Sequence, residues 1–102
     1  MPRPLEATVK FFVIAKRRPQ FAPEEFAPHL EVESRRARQL YAENTLREIH
    51  SRTDGKGAIL VLEAADQAAA EAVMNSLPLV EKGMLEYEIH EVQPYRGFCI
   101  DL

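Results

Sequence analysis

An α+β fold with the element order β-α-β-β-α-β is what this sequence predicts, and three observations carry it. Residues 8–16 and 58–63 are apolar on both alternating faces. Residues 46–53 and 84–92 instead alternate between apolar and polar. Helical patterns separate the first of these segments from the second, and the third from the fourth.

In the first strand, residues 8–16, Val9, Phe11, Val13 and Ala15 share one face, while Phe12 and Ile14 take the other. A strand apolar on both sides sits centrally in a sheet and is covered on both. Residues 17–20, Arg-Arg-Pro-Gln, break it. Pro23 and Pro28 then make residues 21–27 an irregular or single-turn approach to a helix, with Pro28 near its first turn, where a missing N–H costs nothing. That helix runs to about Glu43, with Leu30, Ala37, Leu40 and Tyr41 near one face and Glu31 placed to pair with Arg35. Asn44 suits the left-handed conformation that ends many helices.

Residues 46–53 put Leu46, Glu48, His50 and Arg52 on one face and Arg47, Ile49, Ser51 and Thr53 on the other, the pattern of a half-polar edge strand. Asp54-Gly55-Lys56-Gly57 is a turn. The next strand, residues 58–63, sets Leu60 and Leu62 opposite Ile59 and Val61 and is the second central strand. Asp66 caps an alanine-rich helix over residues 67–77, whose apolar stripe is Ala69, Ala70, Val73 and Leu77, and Pro78 stops it. In the last strand, residues 84–92, Leu85, Tyr87 and Ile89 face away from Glu86, Glu88 and His90. Right-handed crossovers place the first and third strands in the middle of a four-stranded antiparallel sheet, the ferredoxin-like or split βαβ arrangement.

Two helices cover only one side of such a sheet, so the second apolar face of the central strands needs another cover. A second copy supplies it if two sheets face each other across a twofold axis, forming a dimeric α+β barrel with a cavity between. The size of the chain favours this. A domain of 102 residues removes only roughly 60–70% of its unfolded surface from water, so a homodimer or higher homo-oligomer is expected. The whole chain, residues 1–102, reads as one domain, continuous from about Thr8 to Val92 with short tails.

With 13 Lys+Arg against 16 Asp+Glu and a net charge of −3, the chain lacks the concentrated basic footprint that nucleic acid requires. No apolar run approaches the roughly 20 residues that span a bilayer, and the opening Met1-Pro2-Arg3-Pro4 has no signal-peptide core. A soluble cytoplasmic protein is the expectation. Cys99 is the lone cysteine, so no internal disulfide forms, and without an adjacent base it reads as an inert thiol. Gly55-Lys56-Gly57 lacks the spacing and hydroxyl of a phosphate loop, and there is neither G-x-G-x-x-G nor G-x-S-x-G.

Several residues carry possible chemistry. His29 and Glu33 share a helix face at the spacing of a metal pair or an acid–base pair, although an incidental solvated pair is the better reading. Arg35, Arg36 and Arg38 suit an anion but are balanced by Glu31, Glu33 and Glu43. His50 lies between Glu48 and Arg52 on one strand face. A histidine moves a proton near neutral pH, a carboxylate tunes or replaces it, and a guanidinium holds a carboxylate bidentately. His90 on the other edge has a similar setting. The alternative for both is a solvated edge strand with alternating charge.

The string Glu33-Ser-Arg-Arg-Ala-Arg-Gln-Leu-Tyr41 leading into Leu46-Arg47-Glu48, and Ser76-Leu77-Pro78-Leu79 before a strand with Glu86 and Glu88, resemble the muconolactone isomerase-like family. That family lies within the dimeric α+β barrels that also include YCII-like proteins. The resemblance spans roughly Val9 to Val92. It implies a pocket between subunits, no cofactor and no metal, and a proton moved within an unsaturated lactone bearing a carboxylate. Glu33 matches an acidic position of the helix and Arg47 an arginine of the second strand, whereas Ile49-His50 stands where the isomerase is tryptophan-rich. The expected catalytic residues are therefore His50, Glu33 and Glu48, with Arg47, Arg52 and Tyr41 binding a small-molecule substrate. A barrel that binds a metabolite without converting it, or a cofactor-free monooxygenase, is the alternative.

Overall fold

The computed structural model describes residues 8–98. Strand β1 (Val9–Arg17) leads into a single helical turn α1 (Pro23–Phe26), a 3₁₀ turn (Ala27–His29) and helix α2 (Leu30–Ala42). Strands β2 (Leu46–Ser51) and β3 (Gly57–Ala64) form a hairpin. Helix α3 (Gln67–Asn75), a second single turn α4 (Pro78–Glu81) and strand β4 (Leu85–Val92) follow, and a 3₁₀ turn (Arg96–Phe98) closes the described chain. The sheet order is β2-β3-β1-β4, every neighbouring pair antiparallel. The doubly apolar strands are thus central and the half-polar ones form the edges, as the faces require.

Local chemistry explains the boundaries. Asn44 has φ 66°, and the Thr45 N–H reaches the Leu40 carbonyl, so α2 ends in a left-handed cap. The Asp66 carboxylate accepts from the Ala69 N–H at 2.9 Å and starts α3. In the β2–β3 turn, Asp54 accepts from the Lys56 N–H at 2.9 Å, which is the main cause holding its carboxyl below the ordinary value, and from the Arg52 guanidinium at 2.7 Å. A Cβ at Gly57 would collide with the Ala15 carbonyl oxygen, so only glycine lets the turn enter β3 this close to β1.

The core lies between the helices and one sheet face. Phe11, Val13 and Ala15 of β1 and Leu60, Leu62 and Ala64 of β3 pack with Leu40 of α2, Ala70 and Met74 of α3, and Leu77. A second cluster, Phe26, Leu79, Met84 and Leu85, fills the end of the sheet beneath the two single turns. Among the described residues no helix is long and apolar enough to cross a membrane. Cys99 lies outside the described residues.

Four expectations need correction. Pro28 falls in the 3₁₀ turn, not in the first turn of the long helix, because the chain folds helically from Pro23 and re-forms as α2 only after His29. Pro78 opens α4 as well as ending the preceding segment, since a proline at a first helical position forfeits no hydrogen bond. Tyr41 is 63% exposed and stands off the core. Leu46 points to the helices, not to the side of Glu48 and His50. A bulge at Arg47 pairs Leu46 with Leu62 and Glu48 with Val61, consuming two residues of β2 against one of β3 and reversing the alternation.

Candidate functional site

On the helix side, where α2 begins and the sheet ends, the covering layer is incomplete. Leu30 is 42% exposed and Ile49 45%, although both belong to the covered side. The gap is a cleft of about 290 Å³ whose walls include Leu30, Ile49, Ala58, Leu79 and Leu85, and whose polar groups are Glu33, Arg17, Arg52 and Ser51. Glu33 comes from the first turn of α2. Its Oε1 accepts the Leu79 N–H at 2.9 Å, so the carboxylate also satisfies an otherwise unpaired donor of α4. Burial pushes the Glu33 carboxyl above the ordinary value, and this outweighs the opposing pull of the Leu79 N–H.

The two guanidiniums are positioned by other contacts. Arg17, at the end of β1, lies over the Phe26 ring at 4.2 Å, and its backbone N–H donates to the Lys56 carbonyl at 2.7 Å. Arg52 follows β2, its N–H bonded to the Gly57 carbonyl and its side chain to Asp54. A carboxyl whose pKa burial raises, two guanidiniums in the lining and an apolar floor give the cleft the chemistry of a pocket for a small anionic ligand.

The opposite face of the sheet is uncovered. Strand register sets Glu48, Val61, Phe12 and His90 in one row and His50, Ile59, Ile14 and Glu88 in the next. Read from opposite ends, the two rows match: a carboxylate at one end, a histidine at the other and apolar side chains between. The edge strands carry the same tripeptide, Glu48-Ile49-His50 and Glu88-Ile89-His90. In each the carboxylate and Nε2 are hydrogen-bond partners, at 3.0 Å for Glu48 and His50 and 2.7 Å for Glu88 and His90.

A model of the YCII-related domain matches residues 9–93, from the first residue of β1 to just past β4. The chain belongs to the YCII-related family. That family falls within the dimeric α+β barrel superfamily, in keeping with the four-stranded sheet and its helices. No curated protein matches the chain.

In this YCII-related chain the expected site residues divide into separate groups. Glu33 and Arg52 both line the cleft, Arg52 also borders a pocket on the other side of the sheet with Ile14, Glu86 and Glu88, and His50 and Glu48 sit together on that other side. Arg47 is the exposed extra residue of the bulge, and Tyr41 is an exposed residue of α2 that does not line the cleft. The arginine cluster of α2 is engaged locally: Arg35 and Arg38 approach Glu31, and Arg36 donates to Ser76 and Gln39. Among the described residues no group of three or more metal-type side chains converges, and Glu33 is bonded to Leu79, not to His29. Sequence reasoning missed Arg17 and Ser51 in the cleft. Arg17 looked like part of a strand break, and its parity with Phe11, Val13 and Ala15 was the available signal. The repeated Glu-Ile-His was also readable but gains meaning only once the edge strands are known to run antiparallel.

Proposed function

We propose that this YCII-related chain is a small enzyme that shifts a proton within an unsaturated lactone or carboxylate, in the manner of muconolactone isomerase, and that Glu33 is its base. The supporting observation is the half-buried Glu33 carboxyl, its pKa raised by burial, in an apolar cleft whose lining also includes Arg17 and Arg52. Arg17 and Arg52 hold the substrate carboxylate and offset charge developing on the carbonyl oxygen. Glu33, in its ionised form, takes an allylic proton. The C–H bond's electron pair moves into the conjugated carbonyl, and the resulting carboxylic acid returns the proton to the far carbon. Atoms and electrons balance within substrate and base, so the step needs no cofactor. A carboxyl with a raised pKa suits this work, because a base poised nearer the operating pH both accepts and returns the proton efficiently. A second copy covers the uncovered strip of Phe12, Ile14, Ile59 and Val61, giving a homodimer.

The hydrogen-bonded Glu48–His50 pair favours a second reading, in which His50 is the base inside a chamber between two such sheets. Solvent-deuterium incorporation into a panel of β,γ-unsaturated lactones and acids, followed by NMR, separates the two. Glu33→Gln is expected to lower exchange by about 10²-fold or more, the scale of one positioned general base, while His50→Ala retains most of it. The opposite pattern transfers the role to His50. Ligand-induced thermal stabilisation with no exchange in the parent protein overturns both and leaves a metabolite-binding barrel.

A further inference from the structure

Beside the cleft, and sharing Arg17 and Gly55 with it, lies a recess of about 300 Å³ at the end of the sheet. Its walls combine four cationic side chains, Lys16, Arg17, Arg18 and Lys56, with the rings of Phe21 and Phe26, and none of its lining residues is acidic. This is an unexpected concentration in a chain of net charge −3. Among the described residues Lys16, Arg17 and Lys56 have no ion-pair partner, and Arg18 reaches Glu86 only at 3.8 Å. The Nε of Arg18 is buried without a hydrogen-bond acceptor, so this guanidinium is one acceptor short.

The recess is also held in shape. Phe26 is anchored in the second core cluster, Phe21 meets it edge-on with centroids 6.2 Å apart, and Arg17 is held against the Phe26 ring. The backbones of Arg17 and Arg18 are tied to the Lys56 and Met84 carbonyls at 2.7 and 2.9 Å. Asp54 lies near Lys56 and Glu86 near Arg18, yet neither carboxylate lines the recess; the cations gathered there repel one another, and a compact anion relieves that repulsion while accepting several charge-assisted hydrogen bonds. The adjoining rings offer a flat apolar body an edge or a face.

We infer that this recess binds a dianionic phosphate carried on a flat apolar body, an aryl phosphate being the simplest such ligand. Lys16, Arg18 and Lys56 take the phosphate, and Phe21 takes the body.

Titration of the intact protein with phenyl phosphate, inorganic phosphate and benzoate, followed by amide NMR shifts, tests it. Phenyl phosphate is expected to bind tightest, to perturb residues 16–21 and 55–56, and to weaken as salt rises. Lys56→Gln and Arg18→Gln together should weaken it by about tenfold or more, the scale of losing charged hydrogen bonds. Lys56→Gln alone should give a smaller loss in the same direction. Phe21→Ala should weaken phenyl phosphate but not inorganic phosphate. Glu33→Gln should leave binding unchanged, so failure of the proton-transfer reading does not affect this one. Shifts confined to other regions, unchanged affinity in the Lys56→Gln/Arg18→Gln double variant, or equal binding of all three probes overturns it.

Discussion

Phe11 and Phe12 are neighbours in the chain and opposites in the fold. Phe11 faces the helices and is fully buried, whereas Phe12 faces away and is 42% exposed. The contrast extends across both central strands: Val13, Leu60 and Leu62 lie in the core, while Ile14 and Ile59 stand open on the other side. Along β1 and β3 the covered face is apolar from Val9 to Ala15 and from Ala58 to Ala64, whereas the other face carries Lys10, Lys16 and Glu63 around an apolar centre of Phe12, Ile14, Ile59 and Val61. The α2 and α3 layer covers the first and leaves the apolar centre of the second open. Val61 adds a refinement. It belongs to the uncovered face, between Phe12 and Glu48 in register, yet is nearly buried, so neighbours within a sheet can hide a small branched side chain without a second layer.

Replacing the two phenylalanines separately is the strongest way to break this comparison. Phe11→Ala empties a core site and is expected to cost about 3–5 kcal/mol in denaturant unfolding, whereas Phe12→Ala in dilute protein should cost about 1 kcal/mol. Equal losses would mean that the two faces are equally buried in solution. Ile14→Lys probes the cover proposed for the open face. A lysine there would lose its hydration between two sheets, and its register neighbour Glu88 would repay only part of that cost, so sedimentation should show self-association weakened by more than about tenfold with the circular dichroism unchanged. An assembly insensitive to this substitution does not use that face.

The smallest effect concerns Glu33, on the covered side. Its carboxyl titrates higher in the folded protein than in the unfolded chain because burial disfavours the anion. The folded state therefore binds the proton more tightly. The stability this gives is complete below the unfolded value and disappears as pH rises through the folded one. Glu33→Gln keeps an acceptor for the Leu79 N–H and should flatten that part of the stability–pH curve. Glu33→Ala should flatten it as well and lose about 1 kcal/mol at every pH through the missing hydrogen bond. A Gln variant whose curve keeps the parent slope would show that another group titrates there.

Much of the fold was legible because the deciding signals are local or periodic. Two-sided apolar strands became central ones, Asn44 and Asp66 marked helix ends, and the glycines of residues 54–57 formed the hairpin turn. The side of Leu46 was not legible, since a bulge reverses parity without changing any residue type. The cleft was partly legible. Glu33 and Arg52 were both singled out, but their sharing of one cleft depends on how α2 crosses the sheet, and local periodicity does not encode that crossing. It also depends on Leu79, whose amide holds the Glu33 carboxyl where the chain turns into α4. Arg17 was hidden for a related reason: the ring that fixes it, Phe26, reaches it only after the intervening segment folds back.

The irregularity at Arg47 has a genetic corollary. Because Leu46 and Glu48 already oppose consecutive residues of the adjoining strand, removing the codon between them would straighten the ribbon and leave every downstream partner where it is. Excising Ile49 instead would exchange inside for outside over part of that ribbon. Position 47 is therefore the place along this edge where the protein tolerates a change of length.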